Sequence, residues 1–486
     1  MSELKRKSLR GVRWTSFSAV VTGVGGLAQI FILTRLLNAQ SFALMGIINV
    51  IVGLSTQLTD MGFSNAILRE KEPDKGRLHS FYWLNVGLGV FFALFFFFFA
   101  NKIAAFFPKL DQGHLVGLLH WTCPIFMISG FSMQYQTLLQ KRLLFKQLSI
   151  IETTAFLSGF FSTVAFAWRG YDYFSLLGGV LVRSGVNAVL LVGSGLRQHR
   201  PSFHFSWEDV RPVWQFSVFQ SLEKMLAYVA VNFDTLMITK LLSPSVSGVY
   251  EIVKRLLIQP WYIISPLVTK VTYPVMAQVH DDMPRLRNIA LRSIQLVAVL
   301  NVPIYVGCAV GASLIVPVIF GEKWAPGIEP FRWLALSYLL RSVLNPLGSV
   351  ILAKGKGQLA FGMQAGAFLG LLAAIGAGVL YGLQGMLWAL LGFNLLLILP
   401  CHFYIARPLL GSSMGDLWRQ VHVELVAACL AFGGVWQIVA SWERNQMSLL
   451  FYLATGSLLY ICGVMWRRPH LWSDFKQMIP KQVKFK

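Results

Sequence analysis

The sequence predicts an all-α polytopic membrane protein with about fourteen transmembrane helices. It reads as two six-helix parallel repeats that form two lobes around a central cavity, plus two C-terminal helices. Three observations predict this. Hydrophobic residues make up 55% of the 486 and charged residues 13%, with mean hydropathy +0.60; a soluble domain carries about 25% charged residues. Basic residues alternate between rich and poor connecting segments. And the chain repeats itself: residues 33–45 (LTRLLNAQSFALM) align with residues 238–250 (ITKLLSPSVSGVY) at an offset of 205. Looser matches follow in order, 138–141 against 351–354 and 170–173 against 385–388, as in a duplicated chain with a few insertions.

Apolar windows long enough to cross a bilayer, about 20 residues each, fall near residues 14–36, 42–63, 79–100, 115–139, 150–168, 173–196, 213–241, 246–270, 289–316, 330–352, 358–381, 383–405, 420–440 and 447–466. The charges test this assignment. With the N-terminus cytoplasmic, the inside segments carry 28 Lys and Arg residues and the outside segments 8. That bias follows the positive-inside rule loop by loop and places both termini in the cytoplasm. The basic start (Lys5, Arg6, Lys7, Arg10, Arg13) runs into an apolar segment with no small-residue cleavage site, so no signal peptide is expected. The repeat gives an N-terminal lobe over 1–200, a C-terminal lobe over 201–410, and two further helices with a basic tail over 411–486. Parallel repeats place a substrate site between them at mid-depth.

Several function classes are excluded. The net charge of +21 suggests nucleic acid, but it is dispersed over short loops and is explained by topology. No GxxxxGK[ST] or HExxH occurs. Cys123, Cys308, Cys401, Cys429 and Cys462 lie in apolar runs without ligand spacing. No metal, cofactor or catalytic residue is expected, and the chain is not read as an enzyme. His199 and His204, and the pair Asp281-Asp282, read as solvated loop residues. Gly307/Gly311 and Gly366/Gly370 read as close helix approaches, residues 95–99 (five phenylalanines) as lipid-facing bulk, and Pro260 with Pro266 as a bend in the eighth span.

Charges inside the spans are the candidate site. A Lys or Arg at a helix centre costs about 2.5–3.5 kcal/mol on insertion scales, so it faces a partner or a water-filled cavity. Arg183, Lys224, Lys254, Arg255 and Arg341 lie near mid-depth, against Glu223, Asp234 and Glu251. Structural ion pairing of Glu251 with Lys254 or Arg255, and of Glu223 with Lys224, is one reading. It leaves a positive excess, which favours an anionic ligand, phosphate oxygens above all. At the repeat offset Gln29, Gly46 and Asn49 stand where Asp234, Glu251 and Lys254 do, so the charges concentrate in the second lobe apart from Arg183.

The residues Phe233-Asp234-Thr235, Leu241-Leu242 and Ser247-Gly248-Val249-Tyr250 resemble the motif that opens the second half of polysaccharide-export flippases. Residues 34–46 with Asp60-Met61-Gly62-Phe63, 138–152 (LLQKRLLFKQLSIIE) and 315–326 (IVPVIFGEKWAP) resemble the same family. It is the Wzx-type and colanic-acid-type branch of the multidrug/oligosaccharidyl-lipid/polysaccharide exporter superfamily. The resemblance spans residues 8–405. It implies translocation of an undecaprenyl-pyrophosphate-linked oligosaccharide across the bacterial inner membrane by alternating access, for exopolysaccharide, capsule or O-antigen synthesis. It implies membrane lipids, a polysaccharide polymerase and export machinery as partners, and no nucleic acid. Arg183, Lys224, Lys254, Arg255 and Arg341 would then line the substrate path, with Glu223, Asp234 and Glu251 as ion-pair or coupling-ion groups. A cation-coupled multidrug antiporter of the same fold would want an acidic or aromatic cavity for cationic drugs, against which the positive excess argues. A membrane polymerase would want a large outside loop, and a structural export subunit no mid-depth cations.

Overall fold

The computed structural model describes residues 2–60, 63–69, 74–197 and 199–468. Every regular element among them is helical. Eleven helices among the described residues are long and apolar enough to span a membrane, which makes this a multi-pass membrane protein. The described part of each span read from hydropathy falls on helix, the ninth dividing at Gly311 and the twelfth at Leu397. By packing, the chain forms two units, Met1–Ile252 and Val253–Lys486. This division groups residues by contact, whereas the boundary near residue 200 groups them by repeat.

The first unit holds α1 (Ser2–Leu36), α2 (Ala39–Asp60), α3 (Phe63–Arg69), α4 (Lys75–Ala105), α5 (Gln112–Lys141), α6 (Phe145–Trp168), α7 (Asp172–Gly195), α8 (Trp207–Leu241) and the start of α9 (Pro244–Gln278). Short caps set the helix starts. Asp74 accepts from the Gly76 amide and Asp111 from the His114 amide, satisfying donors that a helix start leaves orphaned. Packing is by close approach, as expected where lipid removes the hydrophobic drive between helices. A Cβ on Gly89 would meet the Phe126 carbonyl at 2.7 Å, and one on Gly130 the Asn85 carbonyl at 2.7 Å, so α4 and α5 touch backbone to backbone. The five phenylalanines behave as two faces. Phe96 is buried and stacks on Phe126 at 4.8 Å, while Phe98 is 72% exposed.

The second unit holds the rest of α9, α10 (Met283–Val310), α11 (Ala312–Phe320), a 3₁₀ segment (Glu322–Gly327), α12 (Ile328–Ala353), α13 (Gly357–Val379), α14 (Gly382–Leu396), α15 (Ile398–Cys401), a π-helical segment (His402–Ala406), α16 (Arg407–Leu410), α17 (Met414–Val439) and α18 (Gln446–Arg467). Asp282 caps α10 through the Arg285 amide, which gives the acidic turn a local task, while Asp281 is exposed. The Gly307/Gly311 spacing receives the last two helices. A Cβ on Gly307 would press on the Phe432 ring at 3.0 Å, and one on Gly311 on the Tyr452 ring at 2.5 Å. Tyr452 donates to the Gly307 carbonyl and Tyr460 to the Val299 carbonyl. Arg468 meets the fully buried Glu424 at 3.3 Å. The C-terminal pair is therefore part of the unit's core. Gly370 receives Phe393, but Gly366 has nothing within 4 Å and opens on an apolar groove of about 980 Å³ between α13 and α14. Across Pro260 and Pro266, α9 is one continuous helix, 35 residues long.

The loop histidines part company. His204 is exposed, but His199 is 8% exposed, its ring 4.6 Å from that of His79 on α4. Its expected solvation is corrected by the dense 199–206 segment. There the Ser202 amide donates to His79 Nδ1, Trp83 donates to the Ser202 carbonyl, and Phe203 stacks on Trp83 at 5.0 Å. Burial and the neighbouring His79 lower the His199 pKa to about 4.

Candidate functional site

The two acids of the motif lie in the α8–α9 hairpin of the first unit. Tyr250 Oη donates to Asp234 Oδ2 at 2.5 Å, and the Thr235 amide donates to Asp234 Oδ1 at 2.7 Å. Thr235 Oγ1 donates to Glu251 Oε2 at 3.3 Å, and the Thr239 and Ser247 hydroxyls pair at 2.5 Å. Hydroxyls and carboxylates thus lace the two helices together. Helix α2 fits against the same hairpin through its glycines. A Cβ on Gly46 would stand 3.3 Å from the Glu251 side chain, and Tyr228 reaches across Gly53 to the Asn49 carbonyl. Gly46 is the position that the repeat offset aligns with Glu251. Where these equivalent positions meet, one carries no side chain, which makes room for the other. The side chains of Glu223, Gln220 and Lys270 lie outside the described residues, as do residues 61–62 of the first-copy motif.

Arg183 sits near the middle of α7. Gly179 and Arg183 share a face of that helix, packed on Gly159 and Thr163 of α6. A Cβ on Gly159 would meet Arg183 Cβ at 2.7 Å, so the arginine stem crosses α6 where no side chain stands. Its guanidinium lies 5.5 Å from the Phe156 ring centroid. It has no ion pair within 4 Å and no hydrogen bond among the described residues. Lys224 on α8 is half-buried and likewise has neither. In the second unit Lys254 is 4% exposed and Arg255 half-buried on α9. Lys254 is thus packed inside the protein and does not present an open cationic face.

Arg341 on α12 completes the second unit's cluster. Its guanidinium lies over Trp261 of α9, 4.8 Å from the ring centroid. The buried Tyr305 of α10 fixes α9 by donating to the Leu257 carbonyl at 3.1 Å, and stacks on Tyr338 at 6.4 Å. Tyr338 and Arg341 are one turn apart on α12. Lys254 and Trp261 are seven residues apart, about 10 Å along one face of α9. Arg341 also has no ion pair or hydrogen bond among the described residues. Cation–π contact with Trp is worth about 0.5–2 kcal/mol and leaves the guanidinium N–H donors free for an acceptor.

Two features escaped the sequence reading. Tyr305 and Tyr338 looked like ordinary apolar-run aromatics. Glu152 was read only as the end of a family motif, yet it lies inside the α6 span and acts electrostatically on Arg183. The charges are therefore less concentrated in the second half than the repeat comparison suggested. The available signal was an acid two residues into the fifth apolar window.

The sequence matches the family described as polysaccharide biosynthesis protein over residues 32–329. It is 30% identical over 434 residues to the lipopolysaccharide biosynthesis protein WzxC of Escherichia coli K12, covering 88% of each chain. It is 25% identical over 472 residues to the teichuronic acid biosynthesis protein TuaB of Bacillus subtilis 168, covering 95% of this chain and 96% of that one. The fold superimposes on the lipid II flippase MurJ, in an inward closed conformation, with TM-score 0.77 at 14% identity, over 95% of this chain and 99% of that one.

Proposed function

The chain belongs to the polysaccharide biosynthesis protein family, and on that premise we propose that it flips a lipid-linked oligosaccharide across the bacterial inner membrane. The substrate is an oligosaccharide on undecaprenyl pyrophosphate, passed from the cytoplasmic to the outer leaflet for exopolysaccharide, capsule or O-antigen assembly. The observation that carries this reading is the set of in-span cations, Arg183, Lys224 and Arg341, none of which forms a salt bridge within 4 Å or a hydrogen bond among the described residues. A cation deep in a span is tolerated when water or an anion completes it. A pyrophosphate does so with several acceptor oxygens, and arginine meets them bidentately.

The mechanism is alternating access by two lobes of six helices, with the last two helices fixed to the second lobe. Arg183 serves the headgroup from the first lobe, and Lys224, Arg255 and Arg341 from the second. Aromatic shelves such as Trp261 suit sugar faces. The prenyl tail stays in the bilayer, so only the polar headgroup needs a wet path. Asp234 and Glu251 hold the hairpin from which the second lobe's cations project. Both termini are cytoplasmic, and the polymerase and export machinery that consume the flipped unit are the protein partners.

Reconstitution tests this. Proteoliposomes are loaded with a lipid-linked oligosaccharide whose labelled sugar starts inside, and exposure to an added glycosidase is timed. Exposure much faster than in protein-free liposomes is expected. Exposure at the protein-free rate under every ion gradient, with the native glycan, contradicts the reading.

A further inference from the structure

Glu152 and Arg183 have a geometry that suits an exchangeable ion pair. Glu152, Phe156 and Gly159 lie at i, i+4 and i+7, on one face of α6. Arg183 crosses that face at Gly159 and brings its guanidinium to the Phe156 ring, one turn from Glu152. The ring is wedged from behind by α1, where a Cβ on Gly25 would meet Phe156 Cε1 at 2.4 Å. The arginine therefore rests on a fixed shelf. Glu152 and Arg183 interact electrostatically but form no salt bridge within 4 Å. Both side chains are exposed although both helices are membrane-spanning. Charged groups in such a place are tolerated when they face a partner or water and not hydrocarbon. Glu152 stands seven residues into α6, about 10 Å from its start, while Arg183 is near the middle of α7.

Among the described residues, the charge that acts on Glu152 is that of Arg183. From α7 the group facing it is Arg183. From α1 the described polar neighbour is Ser18, which accepts from Thr153 at 2.9 Å. On α5 the amine of Lys141 is engaged by the Ile67 carbonyl, and on α6 itself Lys146 lies over the Trp14 ring, 5.2 Å from its centroid.

We propose that Glu152 is the exchangeable counter-ion of Arg183: the anionic diphosphate of the substrate displaces it, and the released carboxylate takes up a proton. This deepens the flippase reading and rests on it. The chemistry follows from charge. Without ligand, the carboxylate shares the field of the guanidinium. With a diphosphate on the guanidinium, the carboxylate has lost its cation and gained an anionic neighbour, and it holds a proton more tightly. Binding then takes up a proton, so the affinity rises as pH falls, by at most about tenfold per pH unit for one proton. Glu152 is thus a positioning and coupling residue that acts through Arg183.

The test is titration of nanodisc-embedded protein with farnesyl diphosphate between pH 6 and 8, by calorimetry in buffers of different ionisation heat. The probe's own titration is common to all variants and cancels between them. Wild type should bind with uptake of a proton beyond that common term. E152Q should bind at least as tightly, having lost its internal competitor, with that uptake and its pH slope gone. E152D should restore both, and R183Q should lose most of the affinity. E152Q that retains the wild-type slope, or binds more weakly while still monodisperse and folded, overturns the inference and leaves the flippase reading standing. Wild type that binds no diphosphate at any pH overturns that reading and this inference with it.

Discussion

Arg183 and Arg341 form a matched pair with one difference. Both lie in membrane-spanning helices, both rest on an aromatic ring, and neither has a salt bridge within 4 Å among the described residues. Arg183 has a carboxylate, Glu152, within electrostatic reach. Around Arg341 stand Trp261 and Tyr305, which carry no charge at neutral pH. Among the described residues, the first arginine has a carboxylate within electrostatic reach and the second has none. In the proposed cycle, a cation with an internal partner can switch, whereas one without keeps its site attractive to anions.

The largest effect expected from breaking this comparison is on transport. Charge-assisted hydrogen bonds are worth about 1.5–3 kcal/mol, so R341A should slow glycosidase-detected flipping roughly ten- to a hundredfold. R341K should recover part of the rate, since it keeps the charge but loses the fork. Equal rates for R341A and wild type would remove Arg341 from the path.

Next comes the shelf beneath Arg183. A Cβ at Gly159 would stand 2.7 Å from Arg183 Cβ and 2.8 Å from the Gly179 carbonyl, a backbone atom that cannot swing aside. G159A should therefore force α6 and α7 apart, at a cost of about 1–3 kcal/mol, lowering thermal stability in detergent and flipping together. G185A on α7, where nothing lies within 4 Å, is the control and should change neither.

A smaller effect is expected at the hairpin. Y250F leaves Asp234 without the hydroxyl that reaches it at 2.5 Å. A half-buried carboxylate short of a donor costs about 1–3 kcal/mol, read as a lower unfolding temperature. If stability is unchanged but flipping stops, Asp234 serves the transport cycle and not the hairpin.

The smallest effect is the pH response of the 199–206 segment. His199 has its pKa lowered to about 4 from the ordinary 6.5, by burial and by His79. Its undocked form binds more protons across that window, so docking is fully stable above about pH 6.5 and weakens as pH falls towards 4. Hydrogen exchange over 199–206 should accelerate in that range in wild type and not in H199F. Identical acid responses in the two would show that His199 does not control the segment.

The sequence made the helices legible because an apolar window leaves few alternatives in a membrane. The described part of each window falls on helix, and Gly307/Gly311 marked the contact that holds the last two helices. Arg183 and Arg341 were visible as charges in apolar runs for the same reason. What sequence did not show is who neutralises whom. Glu152 and Arg183 are on different helices, and their meeting depends on Gly159 leaving space, which no spacing rule encodes. Lys254 was visible as a charge in an apolar run, but its burial follows from packing with other helices, which spacing does not show. His199 looked like a solvated loop residue because its partner, His79, lies on another element.

The central claim is that Arg183 and Arg341, neither salt-bridged within 4 Å among the described residues, carry the anionic headgroup. Its most direct test is the flipping rate of a pyrophosphate-linked oligosaccharide by wild type and by R183Q/R341Q, reconstituted at equal density and checked for folding by thermal unfolding. The account predicts that the folded double variant falls to nearly the protein-free rate. A folded double variant that flips at the wild-type rate would contradict it.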